Sequence, residues 1–358
     1  MIAEFLCDTD LCNLTRVSHH LRAIGCPQYL SRKGLTLTAS GRSISVRGGG
    51  FEALGLWRLS PAFTSHQILF CYFNTDPHWL AHEIRWLHKF FTSLPLQPTT
   101  LFGTICLFNV ETPTLQNSLD LLSIAANTTR CHTLDITGMS FQGARWGTKP
   151  KNCIVLKYLE KLHLQDCCLS SSQWMNFLSK LRIPSLREFT VVGETSMAAV
   201  YYFLRQHPDV RLVHFRRCTT NDVLLSSGRL RLPLLWSLKG SLSQVVDLLQ
   251  SLPSQPTLGK LVVECNLPVT SRTGTLFDPV LHCLMLCKGY LALEICLSKE
   301  ASKAELTRTD ACIPITLPCT ISTLCIEYED VCDESILVRG MSVTELVRAL
   351  TTRLEGVL

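Results

Sequence analysis

The stretch Leu159-Glu160-Lys161-Leu162-His163-Leu164-Gln165-Asp166-Cys167-Cys168-Leu169 fits L-x-x-L-x-L-x-x-N/C-x-L at every fixed position. Leu162 and Leu164 are apolar and two apart, with polar residues between and beside them. That is the alternation of a half-buried strand, whose side chains point in turn to opposite faces. Degenerate copies flank this segment. Phe102, Ile105, Leu107 and Val110 form one, and Cys131, Leu134, Ile136, Met139 and Phe141 another. Leu186, Phe189 and Val191 follow, then Val210, Val213, Phe215 and Cys218. Leu258, Leu261, Val263 and Asn266, and finally Ile321, Leu324, Ile326 and Val331, complete the series. With weaker copies at Leu235 and Leu293, the second anchors fall at 105, 134, 162, 189, 213, 235, 261, 293 and 324. Their spacing matches or slightly exceeds the period of roughly 20–29 residues expected of this pattern.

Between the anchors the period changes. Trp174, Phe177, Leu178 and Leu181 lie at i, i+3, i+4, i+7, as do Met197, Val200, Tyr201 and Leu204, and Leu242, Val245, Val246 and Leu249. This is the apolar stripe of a helix buried along one face. Ser170 or Ser171, Thr195 and Ser241 stand where helix caps belong. Asp76-Pro77 opens an earlier helix with Leu80, Ile84, Leu87, Phe91 and Leu94 on one side. Ser342 and Glu345 form a capping box ahead of a last helix with Val343, Leu346, Val347 and Leu350. A short strand alternating with a helix, over and over, predicts an α/β fold of one kind: a curved leucine-rich-repeat solenoid, stacked because no single unit buries its own apolar face. A doubly wound sheet also alternates strand and helix. It would call for a phosphate-binding loop, and Gly48-Gly49-Gly50 fits neither G-x-G-x-x-G nor G-x-x-x-x-G-K-[ST]. Those glycines read as a loop after a strand over 43–46.

Composition agrees with a folded, water-exposed chain. Of 358 residues 46% are hydrophobic and 18% charged, which excludes disorder for most of the length. The most apolar run, 280–297, contains His282, Lys288 and Glu294 and does not read as a membrane span. Residues 1–30 carry Glu4, Asp8, Asp10 and Arg16 and do not read as a signal peptide. A net charge of +5 is too mild for a nucleic-acid binder. No two of the eighteen cysteines are spaced C-x-x-C, so they read as reduced, small buried hydrophobes of an intracellular protein.

Residues 1–34 carry no repeat. Leu11, Leu14, Val17, Leu21 and Ile24 fit short packed helices. The run Phe5-Leu6, Asp10-Leu11, Leu14, Val17-Ser18, Leu21-Arg22, Ile24 resembles the latter two thirds of an F-box. The continuation Pro27-Gln28-Tyr29-Leu30-Ser31-Arg32-Lys33-Gly34 resembles fungal F-box proteins with divergent leucine-rich repeats. The resemblance implies a substrate receptor of a Skp–cullin–F-box ubiquitin ligase, working in the cytoplasm or nucleus. Its partners would be a Skp-type linker with its cullin ligase, and a protein substrate whose identity is open. By the same resemblance Phe5, Leu6, Leu11, Leu14 and Val17 would dock the linker. The family's opening Leu-Pro-x-Glu segment and first helix belong ahead of Ile2, so a truncated F-box is expected, and Leu21 stands where many members have Trp. That departure supports a second reading, a leucine-rich-repeat scaffold with no ubiquitin role. A plain helical cap on the array would look similar. The implied organisation is a partial F-box-like helical segment at 1–34, irregular first repeats and a helix at 35–100, and the repeat solenoid at 101–358.

Catalytic readings are weaker. His78 and His82 have the i, i+4 spacing of a zinc pair, but Trp79 and Ala81 stand where the two zincin patterns need Glu. Cys312, Cys319, Cys325 and Cys332 are too widely spaced for a zinc knuckle, and Cys283 and Cys287 read as core. No nucleophile with a base is evident, so no enzyme, metal or cofactor is expected, and neither nucleic acid nor membrane as a partner. A metal-dependent enzyme at the histidine pair ranks last. The sites expected instead are the residues between the strand anchors, facing the concave surface: Lys161, His163, Gln165, His214, Arg216, Glu264, Glu294 and Glu327. Along them the charge passes from neutral or basic to acidic.

Overall fold

The computed structural model describes residues 5–37, 42–57, 68–93, 102–112, 119, 121–123, 126–127, 130–141, 153–216, 230–254, 256–265, 282–297 and 319–328. They are mixed α/β, with a large and mostly parallel sheet. Two compact units separate by their contacts. The first holds the described residues of Met1–Leu186 and Val192–Phe203, the second those of Arg187–Val191, Leu204–Cys218 and Val223–Leu358. This division falls near Arg187.

The first unit begins with two helices, α1 (Asp8–Val17) and α2 (His19–Arg32). Ser18 ends one and caps the other, its Oγ accepting the Leu21 N–H at 3.2 Å. Strand β1 (Leu35–Leu37) then pairs antiparallel with β2 (Ser43–Arg47). Gly48 to Gly50, read as a loop, instead leads into α3 (Gly50–Trp57), with β3 (Ile68–Tyr72) and α4 (Pro77–Thr92) following. Asp76 caps α4, its carboxylate accepting the His78 N–H at 2.8 Å. Strand β4 (Thr104–Phe108), the short β5 (Glu111–Thr112), β6 (Thr133–Thr137), the short β7 (Ser140–Phe141) and β8 (Ile154–Val155), and β9 (Lys161–Gln165) continue the chain. Helix α5 (Ser171–Lys180) and the two-residue β10 (Leu181–Arg182) come next. From β2 onward the pairing is parallel, in the order β2-β3-β4-β6-β9.

Register turns the alternation of each strand into continuous rows. Ile44, Leu69, Ile105, Leu134 and Leu162 are register partners, all fully buried. Val46, Cys71, Leu107, Ile136 and Leu164 form a second such row, also fully buried. The parallel rows begin at β2, within the stretch 35–100 expected to hold irregular first repeats. Residues between these rows point to the opposite face.

The ends of the strands repeat too. Asn109, Gly138, Asp166 and Gly193, each one residue beyond a strand, all have positive φ, at 58°, 69°, 48° and 99°. The Asn109 N–H donates to the Thr137 carbonyl at 2.9 Å and the Gly138 N–H to the Gln165 carbonyl at 2.9 Å, so one left-handed corner fixes the next. Asn, Asp and Gly are the residues that accept this conformation most readily. Helix caps follow the expected chemistry with one correction. Ser170 and Gln173 form a capping box on α5, but α6 (Met197–Arg205) is capped by Ser196, whose Oγ accepts the Ala199 N–H, and not by Thr195. The Thr195 hydroxyl donates to the Gly193 carbonyl.

The second unit holds most of β11 (Glu188–Val192), then β12 (Leu212–Arg216), β13 (Ser237–Ser241), α7 (Leu242–Ser251), β14 (Lys260–Cys265), β15 (Gly289–Leu297) and β16 (Cys319–Tyr328), in that order across the sheet. Val213, Leu238, Leu261 and Leu293 share one buried row. The anchor expected at Leu235 is thus corrected to Leu238, because Leu235 precedes the strand. Gly240 occupies a core position opposite a bulky neighbour. A Cβ there would lie 3.2 Å from the Phe215 Cβ, so the aromatic ring and the glycine fit only together. The helix expected after Ser342 and Glu345, and Cys312 and Cys332, lie outside the described residues. Among the described residues no helix is long and apolar enough to cross a membrane.

Candidate functional site

Every strand that buries one set of rows presents the other set on its non-core face. In the second unit that face is a network of charge. Glu264 is only 8% exposed, with a carboxylate oxygen 3.7 Å from Lys239 Nζ and 3.8 Å from His214 Nε2. The histidine distance is too long for a hydrogen bond, so this is an electrostatic contact. Burial pushes the Glu264 carboxyl up, but His214, Lys239 and Arg216 together outweigh it and hold the acid below the usual carboxylate range. One strand further, Glu294 on β15 accepts from Lys260 Nζ at 2.7 Å. Val262 lies between Lys239 and Glu294 in register and is buried between them.

Two of the acids expected along this face are therefore compensated within the chain. Glu264 and Glu294 each meet cations from neighbouring strands. Glu327 lies on β16, in register with Cys296, and its side chain is outside the described set.

The first unit's face has a different character. Lys161, His163 and Gln165 lie on β9, two residues apart, as alternation requires. His163 is the register partner of Asp135 on β6, and Gln165 of Thr137. Asp135 is the acid that sequence reasoning missed. Burial pushes its carboxyl up, and the His163 imidazole and a hydrogen bond from the Thr137 hydroxyl only partly offset this. Alongside runs an aromatic ladder, also missed. The Arg47 guanidinium lies 4.5 Å from the centre of the Tyr72 ring. Tyr72 and Phe108 are stacked with centroids 4.5 Å apart and planes 7° from parallel. These three residues and Thr137 share one register row across β2, β3, β4 and β6. Phe70 belongs to the same face, one row away, 6.4 Å from Phe108.

At the N-terminal helices the five residues of the F-box resemblance separate into three groups. Phe5 is 87% exposed and Val17 71%, while Leu6 and Leu14 are half-buried. Leu11 is fully buried between the helices, so its side chain supports the helix pair and is not available on the surface. Beside them a cleft of about 450 Å³ is lined by Arg16, Tyr29, Glu52, Trp86 and Lys89 among others.

His78 and His82 stand on adjacent turns of α4 with their rings edge to face at 5.0 Å. Among the described residues no three His, Cys, Asp or Glu side chains are arranged to hold a metal ion. Glu83, the next acid on α4, is engaged with its own backbone neighbourhood, accepting the Asn74 N–H at 2.7 Å. Cys283 and Cys287 are buried, as core residues would be. No family model matches the chain, and no curated protein is similar to it.

Proposed function

We propose that this chain is a protein-recognition adaptor, a substrate receptor of a Skp–cullin–F-box type ubiquitin ligase. Its strands and helices would form one leucine-rich-repeat solenoid, and its N-terminal helices the docking segment for the linker, in the cytoplasm or nucleus. The observation that supports recognition is the non-core face of the strands. It is a field of half-exposed aromatic, charged and amide side chains held in register, the kind of surface that contacts another protein through many points. The adaptor acts by proximity: one end holds the ligase and the strand face holds the target. Phe5 and Val17, two of the five residues the docking would use, are exposed and accessible to a linker.

A specific observation favours the second reading, a repeat scaffold without a ubiquitin role. Leu11 is buried, and Cys26, Tyr29 and Leu30 of α2 are buried too, as they would be in a cap that only shields the end of the array. Co-expression with a Skp-type linker distinguishes the two. Co-purification that is lost in Phe5→Asp and Val17→Asp variants supports the adaptor. A chain that stays folded and never retains the linker leaves the scaffold.

A further inference from the structure

The aromatic ladder of the first unit stops one rung short. Parallel strands lie about 4.8 Å apart. The Tyr72–Phe108 stacking distance of 4.5 Å is close to that spacing, so the ladder climbs from strand to strand. Arg47 supplies the rung before Tyr72. The rung after Phe108 falls on its register partner on β6, which is Thr137. A threonine carries no ring to continue the stack, and Phe108 is half-buried. Beside this gap, two residues earlier on the same strand and facing the same way, stands Asp135.

Asp135 differs from the other acids of the strand faces. Glu264 has Lys239, His214 and Arg216 around it, and Glu294 has Lys260. Among the described residues the charged neighbour of Asp135 is His163, an imidazole rather than a permanent cation, and the Thr137 hydroxyl donates to it as well. The step therefore has a half-buried aromatic ring on one side and, beside it, a carboxylate that burial disfavours. A planar cation meets both demands. A guanidinium stacks on an aromatic ring, as Arg47 already does on Tyr72, and its edge donates two parallel N–H bonds to a carboxylate.

We propose that the step above Thr137 receives an arginine side chain of the recognised protein, stacked on Phe108 and paired with Asp135. This deepens the recognition reading and rests on it. The guanidinium supplies the missing rung and the missing charge in one group. An ammonium can sit over a ring, as Lys89 does over Trp86, but it cannot lie flat on the ring while donating two parallel bonds to a carboxylate, so the site favours arginine over lysine.

The test uses the full chain and fluorescent degenerate nine-residue peptide libraries that differ only in a fixed central residue: arginine, lysine, citrulline or glutamate. Citrulline keeps the planar shape without the charge. The arginine library is expected to bind at least about tenfold more tightly than the citrulline library, the scale of one charge-assisted bidentate contact. Asp135→Asn should bring that ratio close to one, and Thr137→Phe, which fills the rung from within, should do the same. Asp209→Asn, an exposed acid elsewhere, should leave it unchanged. Melting curves and near-ultraviolet dichroism establish that each variant is folded, and the isosteric Asp135→Asn decides if Thr137→Phe is not. Equal binding of arginine and citrulline libraries, equal binding of arginine and lysine, or an arginine preference that survives Asp135→Asn each overturns the proposal while peptide recognition stands. Absence of binding by every library overturns it together with the recognition reading.

Discussion

Replacing Glu264 with Gln keeps the shape of the side chain and removes its charge. Glu264 is 8% exposed and lies 3.7 Å from Lys239 Nζ and 3.8 Å from His214 Nε2. One such pair attracts by about 4 kcal/mol at an effective permittivity of about 20. Taking the carboxylate out of water opposes this by several kcal/mol. The balance is visible in the acid itself: burial raises its pKa, the His214 imidazole, Lys239 and Arg216 lower it, and the net is a depression. Attraction wins. Breaking a fully buried pair costs about 3–5 kcal/mol and an exposed pair about 0–1 kcal/mol. Lys239 and His214 are partly exposed, and solvent relieves them once Glu264 is neutral. The expected loss is about 1–2 kcal/mol, or about 2–8 °C in melting temperature for a domain of this size class. Because the folded-state pKa is lowered, the stabilisation is present above the ordinary carboxylate range and is lost as pH falls through the folded value. The gap between wild type and Glu264→Gln should therefore be full near pH 7 and close in acid. Urea and thermal unfolding followed by circular dichroism measure it, and a double-variant cycle with Lys239→Met should show positive coupling. A variant as stable as wild type near pH 7, or a gap that widens in acid, would refute the reasoning.

Asp135→Asn should behave in the opposite sense. The raised carboxyl makes wild-type stability fall as pH climbs from the ordinary carboxylate range through the folded pKa, so near pH 7 the variant is expected to be as stable as wild type or more so in the same unfolding assay. Leu162→Ala, at a fully buried row position, should cost about 3–4 kcal/mol in urea unfolding. Ser170→Ala removes one half of the α5 capping box and should cost about 1 kcal/mol, read as a shift of the urea midpoint. Thiol titration should be biphasic in the native protein: Cys7, Cys153 and Cys168 are exposed and should react fast. Cys106, Cys131 and Cys167, each pushed up to about 12 by burial, and Cys71, pushed up further, should react slowly. Protein denatured under exclusion of air should show close to eighteen thiols.

The strands and their buried rows were legible because alternation has a short period and few alternatives. Leu162 and Leu164 announce their own strand, and once one copy is seen its spacing finds Ile105, Leu134, Val213, Leu261 and Leu293. The method slips where a strand offers too few apolar residues. In Ser237–Ser241 two serines, a lysine and a glycine leave Leu238 as the lone clear anchor, and Leu235 outside the strand takes its place in the pattern. Glycine is the right residue there only because Phe215 crowds it from the next strand, which no local window contains. The antiparallel start at β1 and the helix opening at Gly50 were hidden for a related reason: each depends on tertiary contact more than on periodicity. Gly50 lies so close to the Gly34 carbonyl, 2.9 Å from a would-be Cβ, that packing excludes any other residue.

The face is less legible than the core because its properties belong to rows that cross strands. Read along the chain, Glu264, Glu294 and Glu327 sum to an acidic end and His214 and Arg216 to a basic middle. Read across the sheet, Glu264 meets the basic residues directly and Glu294 meets Lys260, so two of the three acids of that end are already engaged. The same change of direction brings out what the chain-wise reading passed over. Phe108 and Tyr72 fall between anchors and look like isolated aromatics until register stacks them, and Asp135 looks like one acid among twenty-nine until its neighbours are named. A charge already matched inside the fold has little to offer a partner beyond steering, whereas an acid that burial disfavours and no fixed cation relieves gains from one that arrives. If the face recruits a partner as proposed, Asp135, whose carboxyl burial disfavours, gains more from an arriving cation than Glu264 or Glu294 does.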